Sequence, residues 1–205
     1  MLNIALVVGF NSDLEAQSIR ASLEYFGAKV VTYWIGRPKD FIDVLSGNAL
    51  YNDINYLVFC FHGEEGKFVM EELGEDIYEQ DEQDEQDEQD EQDEQDEQDE
   101  QDEQDEQDEP RGYFGAEEIY KYAKLHNTHI VNSGCTLGEQ KLAESFLRSG
   151  AKSYIGSIDY VDGNAALMFT IRLFYGLISY EKTLEDAFQE AKLIDEETRT
   201  FQFYK

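Results

Sequence analysis

The sequence INYLVFCFHG occupies residues 54–63, and its first eight residues are apolar except for one asparagine. Aromatic and β-branched side chains in a short apolar run predict a strand that is buried on both faces of a sheet. His62 and Gly63 follow this strand directly. In α/β proteins, the loops beyond the carboxyl ends of parallel strands hold the reactive groups. The stretch therefore predicts a buried strand with a candidate site at its end.

Other short apolar runs alternate with segments that have helical spacing. The apolar runs cover residues 3–9, 29–35, 129–133 and 152–158. Helices are predicted at about residues 13–27, 38–50, 115–125, 137–149, 164–179 and 184–195, and a hairpin or edge strand at 66–73. Strands that alternate with helices form a mainly parallel sheet with helices on both faces. We therefore predict an α/β fold.

An acidic repeat interrupts this pattern. Residues 80–109 are ten copies of Gln-Asp-Glu and hold 20 of the 46 acidic residues in the 205-residue chain. Without the repeat the net charge is −10 instead of −30, and the other 175 residues have the composition of one ordinary globular domain. We predict one domain in two parts, residues 1–78 and 111–205, with an insertion at residues 79–110.

The insertion is expected to be disordered. In a helix, a three-residue repeat would stack Asp on Asp and Glu on Glu, and such like-charge pairs oppose helix formation. The repeat has no apolar side chain whose burial would offset the entropy of ordering. An expanded surface loop is the simplest interpretation, because loops tolerate added length. An electrostatic shield, a weak calcium buffer and a lid over the active site remain alternatives.

Composition argues against several classes of protein. No apolar run approaches the roughly 20 residues of a membrane-spanning helix, and the first ten residues lack the basic start of a signal peptide. We expect no membrane association. No basic patch is present to bind a phosphate backbone, so we expect no nucleic-acid partner. Cys60 and Cys135 do not make a disulfide framework, which favours a cytoplasmic location.

Cys135 and His62 are the candidate catalytic residues. Cys135 follows a predicted strand and precedes a helix that is predicted to begin near Leu137. A thiolate at a helix N-terminus is stabilised by backbone N–H groups and by the helix dipole. His62 can accept the thiol proton and later protonate a leaving amine. The N–H groups of Gly63 and Cys135 can stabilise an oxyanion. A lone cysteine such as Cys60, inside a strand, is more typical of a core residue.

The spacing of the pair and its flanking residues resemble a known family. His62 and Cys135 are 73 positions apart, or 43 without the repeat, and caspases place the histidine about 50 residues before the cysteine. FCFHG at 59–63 and NSGC at 132–135 resemble the strand-end signature of caspase-like cysteine peptidases of clan CD. LAESFL at 142–147, GAKSYIGS at 150–157 and Val161-Asp162 resemble the order of elements in CHAT domains.

The resemblance implies a caspase-like three-layer sandwich and further site residues. Asn11 is similar to an asparagine that orients the histidine in legumain-type relatives, and a turn or helix-capping role is an equal alternative. Asp159 and Asp162 lie where some relatives contribute an acid to the pocket for a basic side chain, although solvated loop carboxylates are an equal alternative. We expect no cofactor, because acyl transfer to a thiolate needs none, and no metal, because His126 and His129 lie on either side of a helix-to-strand turn with no further His or Cys near them.

These observations predict a cysteine endopeptidase that uses His62 and Cys135 and cleaves after basic residues. Its partners would be a peptide or protein substrate and a regulatory protein. The alternative is a catalytically silent caspase-like module for binding or assembly. The intact His–Cys pair favours the enzyme.

Overall fold

The computed structural model describes residues 1–71 and 112–205. The predictions for the acidic repeat and for the two domain boundaries beside it fall outside these residues. No helix in the described part of the chain is both long and apolar enough to cross a membrane.

The described residues form two sheets and the helices that cover the larger one. The strands are β1 (Asn3–Val8), β2 (Lys29–Trp34), β3 (Tyr56–Cys60), β4 (Gly63–Glu64), β5 (Lys67–Val69), β6 (Tyr113–Phe114), β7 (His129–Asn132), β8 (Ser153–Ser157) and β9 (Phe201–Tyr204). The helices are α1 (Asp13–Phe26), α2 (Pro38–Leu45), α3 (Ala116–Tyr122), α4 (Gln140–Arg148), α5 (Gly163–Ser179) and α6 (Leu184–Ala191).

The large sheet has the strand order β2-β1-β3-β7-β8-β9. Its first five strands are parallel, and β9 pairs antiparallel with β8. The predicted α/β fold with a mainly parallel sheet is therefore confirmed. Because β3 and β7 are neighbours, the residues that follow these two strands lie at the same edge of the sheet.

Helices cover both faces of the large sheet, which gives three layers. Alternate residues of β1 enter different cores: Leu6 packs into a cluster with residues of α1, α5 and α6, and Val7 packs into a cluster with residues of α2, α3 and α4. Burial on both faces explains why these strands are continuous apolar runs instead of alternating ones. Each fully buried aliphatic or aromatic side chain contributes about 1.5–3 kcal/mol.

The small sheet has the strand order β4-β5-β6 and is antiparallel. It contains the hairpin predicted at residues 66–73, but the hairpin begins earlier, at Gly63. Phe68 of β5 and Phe114 of β6 face each other, are fully buried and pack against Phe41 of α2, with ring centroids 5.2 Å apart in both cases. The two described parts of the chain therefore meet in both sheets.

Several helix ends and one strand differ from the sequence predictions. Helix α3 ends at Tyr122 instead of at 125, and α6 ends at Ala191 instead of at 195. Helix α2 ends at Leu45, so Leu50 lies beyond it. Helix α4 begins at Gln140 instead of near Leu137, because the N–H of Gly138 donates to Ser157 O of β8 (2.6 Å) and is held by the sheet. Strand β9 was not predicted. It is fixed by tertiary packing, since Phe201 stacks on Phe169 of α5 with ring centroids 3.8 Å apart.

Candidate active site

His62 and Cys135 lie at the carboxyl edge of the large sheet and line the same cavity of about 370 Å³. His62 comes two residues after β3, and Cys135 comes three residues after the neighbouring β7. The other residues that line the cavity are Asn11, Ser12, Asp13, Leu14, Glu15, Phe61, Ser133, Gly134, Val161 and Gly163. The fold therefore brings together two side chains that are 73 positions apart.

The turn that carries Cys135 is held to the surrounding strands by backbone N–H groups on both sides of it. Before Cys135, the N–H of Ser133 donates to Phe59 O (3.0 Å) and that of Gly134 donates to Asn132 Oδ1 (3.1 Å). After Cys135, the N–H of Thr136 donates to Asp159 O (3.1 Å) and that of Gly138 donates to Ser157 O (2.6 Å). The N–H of Cys135 has no acceptor among the described residues. This donor is free to bind a developing oxyanion.

Buried side-chain hydrogen bonds also hold the turn that carries Cys135. Asn132 Nδ2 donates to the hydroxyl of Tyr154 (3.2 Å), and that hydroxyl donates to Leu137 O (2.5 Å). All three residues are fully buried. Burial raises the pKa of the Tyr154 hydroxyl, so this group remains a donor at neutral pH. The network links the start of the turn to its end.

Gly63 lies directly against the Cys135 turn. A Cβ at this position would be 2.1 Å from Cys135 O, a distance that no side chain tolerates. Val69 N–H donates to His62 O (3.0 Å), and Gly63 lies opposite Phe68 in the ladder. In an antiparallel pair with this register, the N–H of Gly63 points away from β5. Gly63 is therefore required for the close approach, and its N–H is not used by the ladder.

The two cysteines have different surroundings. Cys135 is half-buried, and its Sγ donates to Val161 O (3.4 Å). Cys60 is fully buried in the core, and burial raises the pKa of its thiol. The predicted helix start near Leu137 is wrong, so a turn separates Cys135 from the first residue of α4. Within this turn Thr136 has a left-handed backbone (φ 57°).

His62 lines the cavity and is exposed, and its ring packs against Phe10 with centroids 5.6 Å apart. Asn11 lines the same cavity and has a left-handed backbone (φ 55°), a conformation that asparagine adopts more readily than most residues. The structure therefore places Asn11 near His62 in a turn. Its role in orienting the histidine stays a prediction.

Asp159 and Asp162 lie on the loop after β8 and are exposed. Asp159 Oδ1 accepts from Tyr160 N (2.8 Å), and Asp162 Oδ1 accepts from Asn164 N (2.9 Å), which caps α5. Neither aspartate lines the cavity, although Val161 and Gly163 do. Both carboxylates already have local partners, and their part in substrate binding stays a prediction.

Glu15 lines the cavity, although no functional role is predicted for it from the sequence. Its Oε1 atom is buried and makes no hydrogen bond of good geometry to a described residue, and the same holds for Ser133 Oγ. Burial raises the pKa of the Glu15 carboxyl, while the nearby Ser133 hydroxyl and Cys60 thiol, as hydrogen-bond donors, and the electrostatic interaction with His62 lower this pKa. Buried polar atoms in native proteins are almost always paired, so these two require an explanation.

The sequence does carry a signal at Glu15, but it points to another role. Ser12 and Glu15 match the capping-box pattern, in which the glutamate side chain accepts from the N-cap backbone. Helix α1 has no side-chain capping hydrogen bond at Ser12. The glutamate lines the cavity because α1 begins just after β1, and β1 lies beside β3. That strand order cannot be deduced from the sequence alone.

Comparisons with known proteins support the fold. No protein-family model and no curated protein matches the chain. The Arg-specific cysteine proteinase gingipain R has a similar structure, with a TM-score of 0.55, 13% identity, and coverage of 96% of this chain and 44% of that one. Separase in the Saccharomyces cerevisiae separase–securin complex matches with a TM-score of 0.52, 13% identity, and coverage of 99% of this chain and 12% of that one.

A complex of the pro- and mature domains of Porphyromonas gingivalis RgpB matches as well, with a TM-score of 0.51, 13% identity, and coverage of 97% of this chain and 44% of that one. The chain thus spans less than half the length of each of these proteins. Gingipain R and separase are caspase-like fold proteins, and the chain has this fold.

Proposed function

We propose that this chain is a cysteine endopeptidase in which Cys135 is the nucleophile and His62 is the general base and acid. The observation that carries the proposal is that these two side chains line one cavity at the carboxyl ends of adjacent strands. A nucleophile and a base at one cavity are the minimum that acyl transfer requires. The similarity in fold to cysteine proteinases supports the same reaction class.

The proposed reaction has two steps. His62 takes the proton of the Cys135 thiol, and the thiolate sulfur bonds to the carbonyl carbon of the substrate. The carbon–nitrogen bond then breaks, and His62 returns the proton to the leaving amine. In the second step water attacks the thioester with His62 as the base, which releases the carboxylic acid and restores the thiol. No cofactor takes part.

Backbone donors are proposed to stabilise the oxyanion in both steps. The N–H of Cys135 has no acceptor among the described residues, and the N–H of Gly63 points away from its ladder partner. The turn is tied to the sheet before the substrate arrives, so these donors need little reorganisation in the transition state. Removal of one such donor from an enzyme costs about 10²–10³ in kcat.

Cleavage after basic residues is the proposed specificity. None of the described residues that line the cavity is Lys or Arg, whereas Asp13 and Glu15 are acidic. Asp159 and Asp162 add negative charge on the neighbouring loop. Gingipain R, whose fold is similar, is Arg-specific, which is consistent with an acidic cavity.

We extend the proposal to the closer relationship with CHAT domains and to a regulatory protein partner in the cytoplasm. Helix α4, the turn at Gly150, the end of β8 and the loop at Val161 follow Cys135 in the order that is typical of CHAT domains. RgpB forms a complex with its pro-domain, and separase with securin, which makes control by a protein partner a reasonable expectation for a similar fold.

The test is covalent labelling of the full chain with a peptidyl acyloxymethyl ketone, followed by peptide mapping. We expect the probe on Cys135 and not on Cys60. His62→Ala should slow both labelling and peptide cleavage, whereas His126→Ala, at an exposed histidine that does not line the cavity, should not. Labelling of Cys60 would contradict the assignment. A Cys135 that reacts with no peptidyl probe would favour the silent binding module.

A further inference from the structure

Two polar atoms at the cavity that Cys135 lines are incompletely paired. Glu15 Oε1 and Ser133 Oγ are both buried, they lie close enough for the Ser133 hydroxyl to lower the pKa of Glu15, and neither makes a hydrogen bond of good geometry to a described residue. Both residues line the cavity, as does Cys135. A buried acceptor that stays unpaired costs free energy, and one common explanation is that a ligand supplies the missing donor. The Ser133 hydroxyl can donate its one proton to Glu15, which leaves only acceptor lone pairs on both side chains, so a ligand group that completes the pairing must be a hydrogen-bond donor.

The charges at the cavity also favour a cation. Its ionisable lining residues within the described chain are Asp13, Glu15, His62 and Cys135, so no fixed positive charge from Lys or Arg opposes a cationic ligand. Leu14, Phe61 and Val161 provide apolar surface along which the methylene stem of a long basic side chain can pack. The volume of about 370 Å³ lies within the range of about 300–1,000 Å³ that is typical of ligand sites.

The position of Cys135 indicates which part of a substrate enters the cavity. A carbonyl carbon that is attacked by Sγ belongs to the residue before the scissile bond, and the Cα of that residue is bonded to this carbon. The side chain of the residue before the scissile bond therefore begins close to Sγ. Because Cys135 lines the cavity, this side chain is the part of the substrate that enters it.

We infer that Glu15, assisted by Ser133, binds a guanidinium group on the residue before the scissile bond, and that Glu15 is the main determinant of basic specificity. This inference rests on the proposed function and assigns the recognition group within the same site. It differs from the sequence expectation, which placed this role on Asp159 and Asp162. Those two carboxylates are exposed and accept from local backbone N–H groups, so they have less need of a substrate donor.

Arginine should be preferred over lysine. A guanidinium presents five N–H donors in a planar fork and can reach two acceptors at once, here the carboxylate of Glu15 and the hydroxyl of Ser133. An ammonium is a compact and strongly hydrated charge, which loses more hydration on entering a partly buried cavity. Ser133→Ala should therefore reduce the preference for arginine over lysine, and Glu15→Gln should reduce the preference for either over a neutral side chain.

The experiment compares peptidyl acyloxymethyl ketones that carry arginine, lysine or citrulline next to the reactive carbon. Citrulline has nearly the shape of arginine but no charge. The second-order rate of Cys135 modification is measured for the wild-type chain, for Glu15→Gln and for the double variant Asp159→Asn/Asp162→Asn. Glu15→Asp is a further variant that keeps the negative charge. Iodoacetamide, which has no side chain to recognise, reports the intrinsic reactivity of Cys135 in each protein.

For Glu15→Gln we expect the arginine-to-citrulline rate ratio to fall by about 30-fold or more, equivalent to about 2 kcal/mol for a desolvated charge pair. The iodoacetamide rate corrects for any change in the intrinsic reactivity of Cys135, and the loop double variant should keep most of the arginine-to-citrulline ratio. An unchanged ratio in Glu15→Gln, or a loss that occurs only in the loop variant, overturns the assignment to Glu15. A wild-type chain whose Cys135 reacts with iodoacetamide but with no peptidyl probe overturns the proposed function itself.

Discussion

At the scale of single residues, Glu15 combines a candidate binding role with a cost in stability. Its carboxylate is partly buried, and burial raises its pKa. The folded state therefore favours the protonated form, and the contribution of this group to stability decreases as the pH rises through its folded-state pKa. Glu15 lies in the first turn of α1, where the helix dipole stabilises a negative charge and offsets part of the cost of burying the carboxylate.

We predict that Glu15→Gln stabilises the unliganded protein by about 1 kcal/mol at pH 7, because glutamine has no charge to desolvate. The gain should shrink as the pH falls and disappear below about pH 4, where the carboxyl is protonated in both the folded and the unfolded chain. Urea unfolding at several pH values measures this. Glu117→Gln, at an exposed position in the first turn of α3, is the control. A destabilised Glu15→Gln would mean that the carboxylate has a structural partner.

Gly63 is the second residue whose identity is fixed by its surroundings. A methyl group there would lie 2.1 Å from Cys135 O, so Gly63→Ala must displace the turn or β4. We predict a loss of at least about tenfold in peptide cleavage, because misplacement of one oxyanion donor alone costs that much or more. In Gly36→Ala the new methyl would meet its nearest neighbour, Asp40 Oδ2, at 3.5 Å, an ordinary contact. An active Gly63→Ala would show that the turn can move freely.

At the scale of elements, the turn between β7 and α4 is the part that determines where Cys135 lies. Tyr154→Phe removes the hydroxyl that links Asn132 to Leu137 O and leaves both groups buried without this partner. We predict a loss of about 1–3 kcal/mol in the free energy of unfolding and a lower kcat. Tyr25→Phe, on an exposed tyrosine, is the control for both measurements. An unchanged kcat together with a lower stability would show that the network supports the fold and not the site.

The sequence predicted the strands and helices that have strong periodic patterns, and it predicted which strand ends carry His62 and Cys135. It missed features that depend on distant contacts. Helix α4 starts late because Gly138 is bonded to β8, and β9 forms because Phe201 stacks on α5. A four-residue strand near the last predicted helix has too few residues for periodicity to show, so its existence depends on packing that no local pattern encodes.

At the scale of the whole molecule, the arrangement of the site depends on strand order. The sequence predicts parallel strands but not that β1 lies beside β3, and this neighbour relation brings Glu15 to the cavity that His62 lines. Without the strand order, basic specificity is predicted at Asp159 and Asp162, because the resemblance to caspase-like peptidases places an acid on that loop.

The two described parts of the chain are joined by pairing next to the acidic repeat. Strands β5 and β6 are antiparallel neighbours, and Met70 N–H donates to Gly112 O (2.8 Å). The chain therefore leaves the small sheet at Glu71 and returns to it at Gly112, beside the point of departure. A short connection can join these two positions as well as a long one.

We predict that excision of residues 80–109 leaves the melting temperature nearly unchanged, because the pairing of β5 with β6 does not involve them and thirteen residues, 70–79 and 110–112, remain to connect the strands. The cost of closing a flexible loop changes only slowly with its length. The excision also removes 20 negative charges. The rate on basic peptides should therefore decrease at low ionic strength and approach the wild-type rate at about 0.15 M salt, where the screening length is about 8 Å. Neutral peptides are the control, since their rates should not depend on the repeat at any salt concentration. A large drop in melting temperature would show that the repeat contributes to the folded structure.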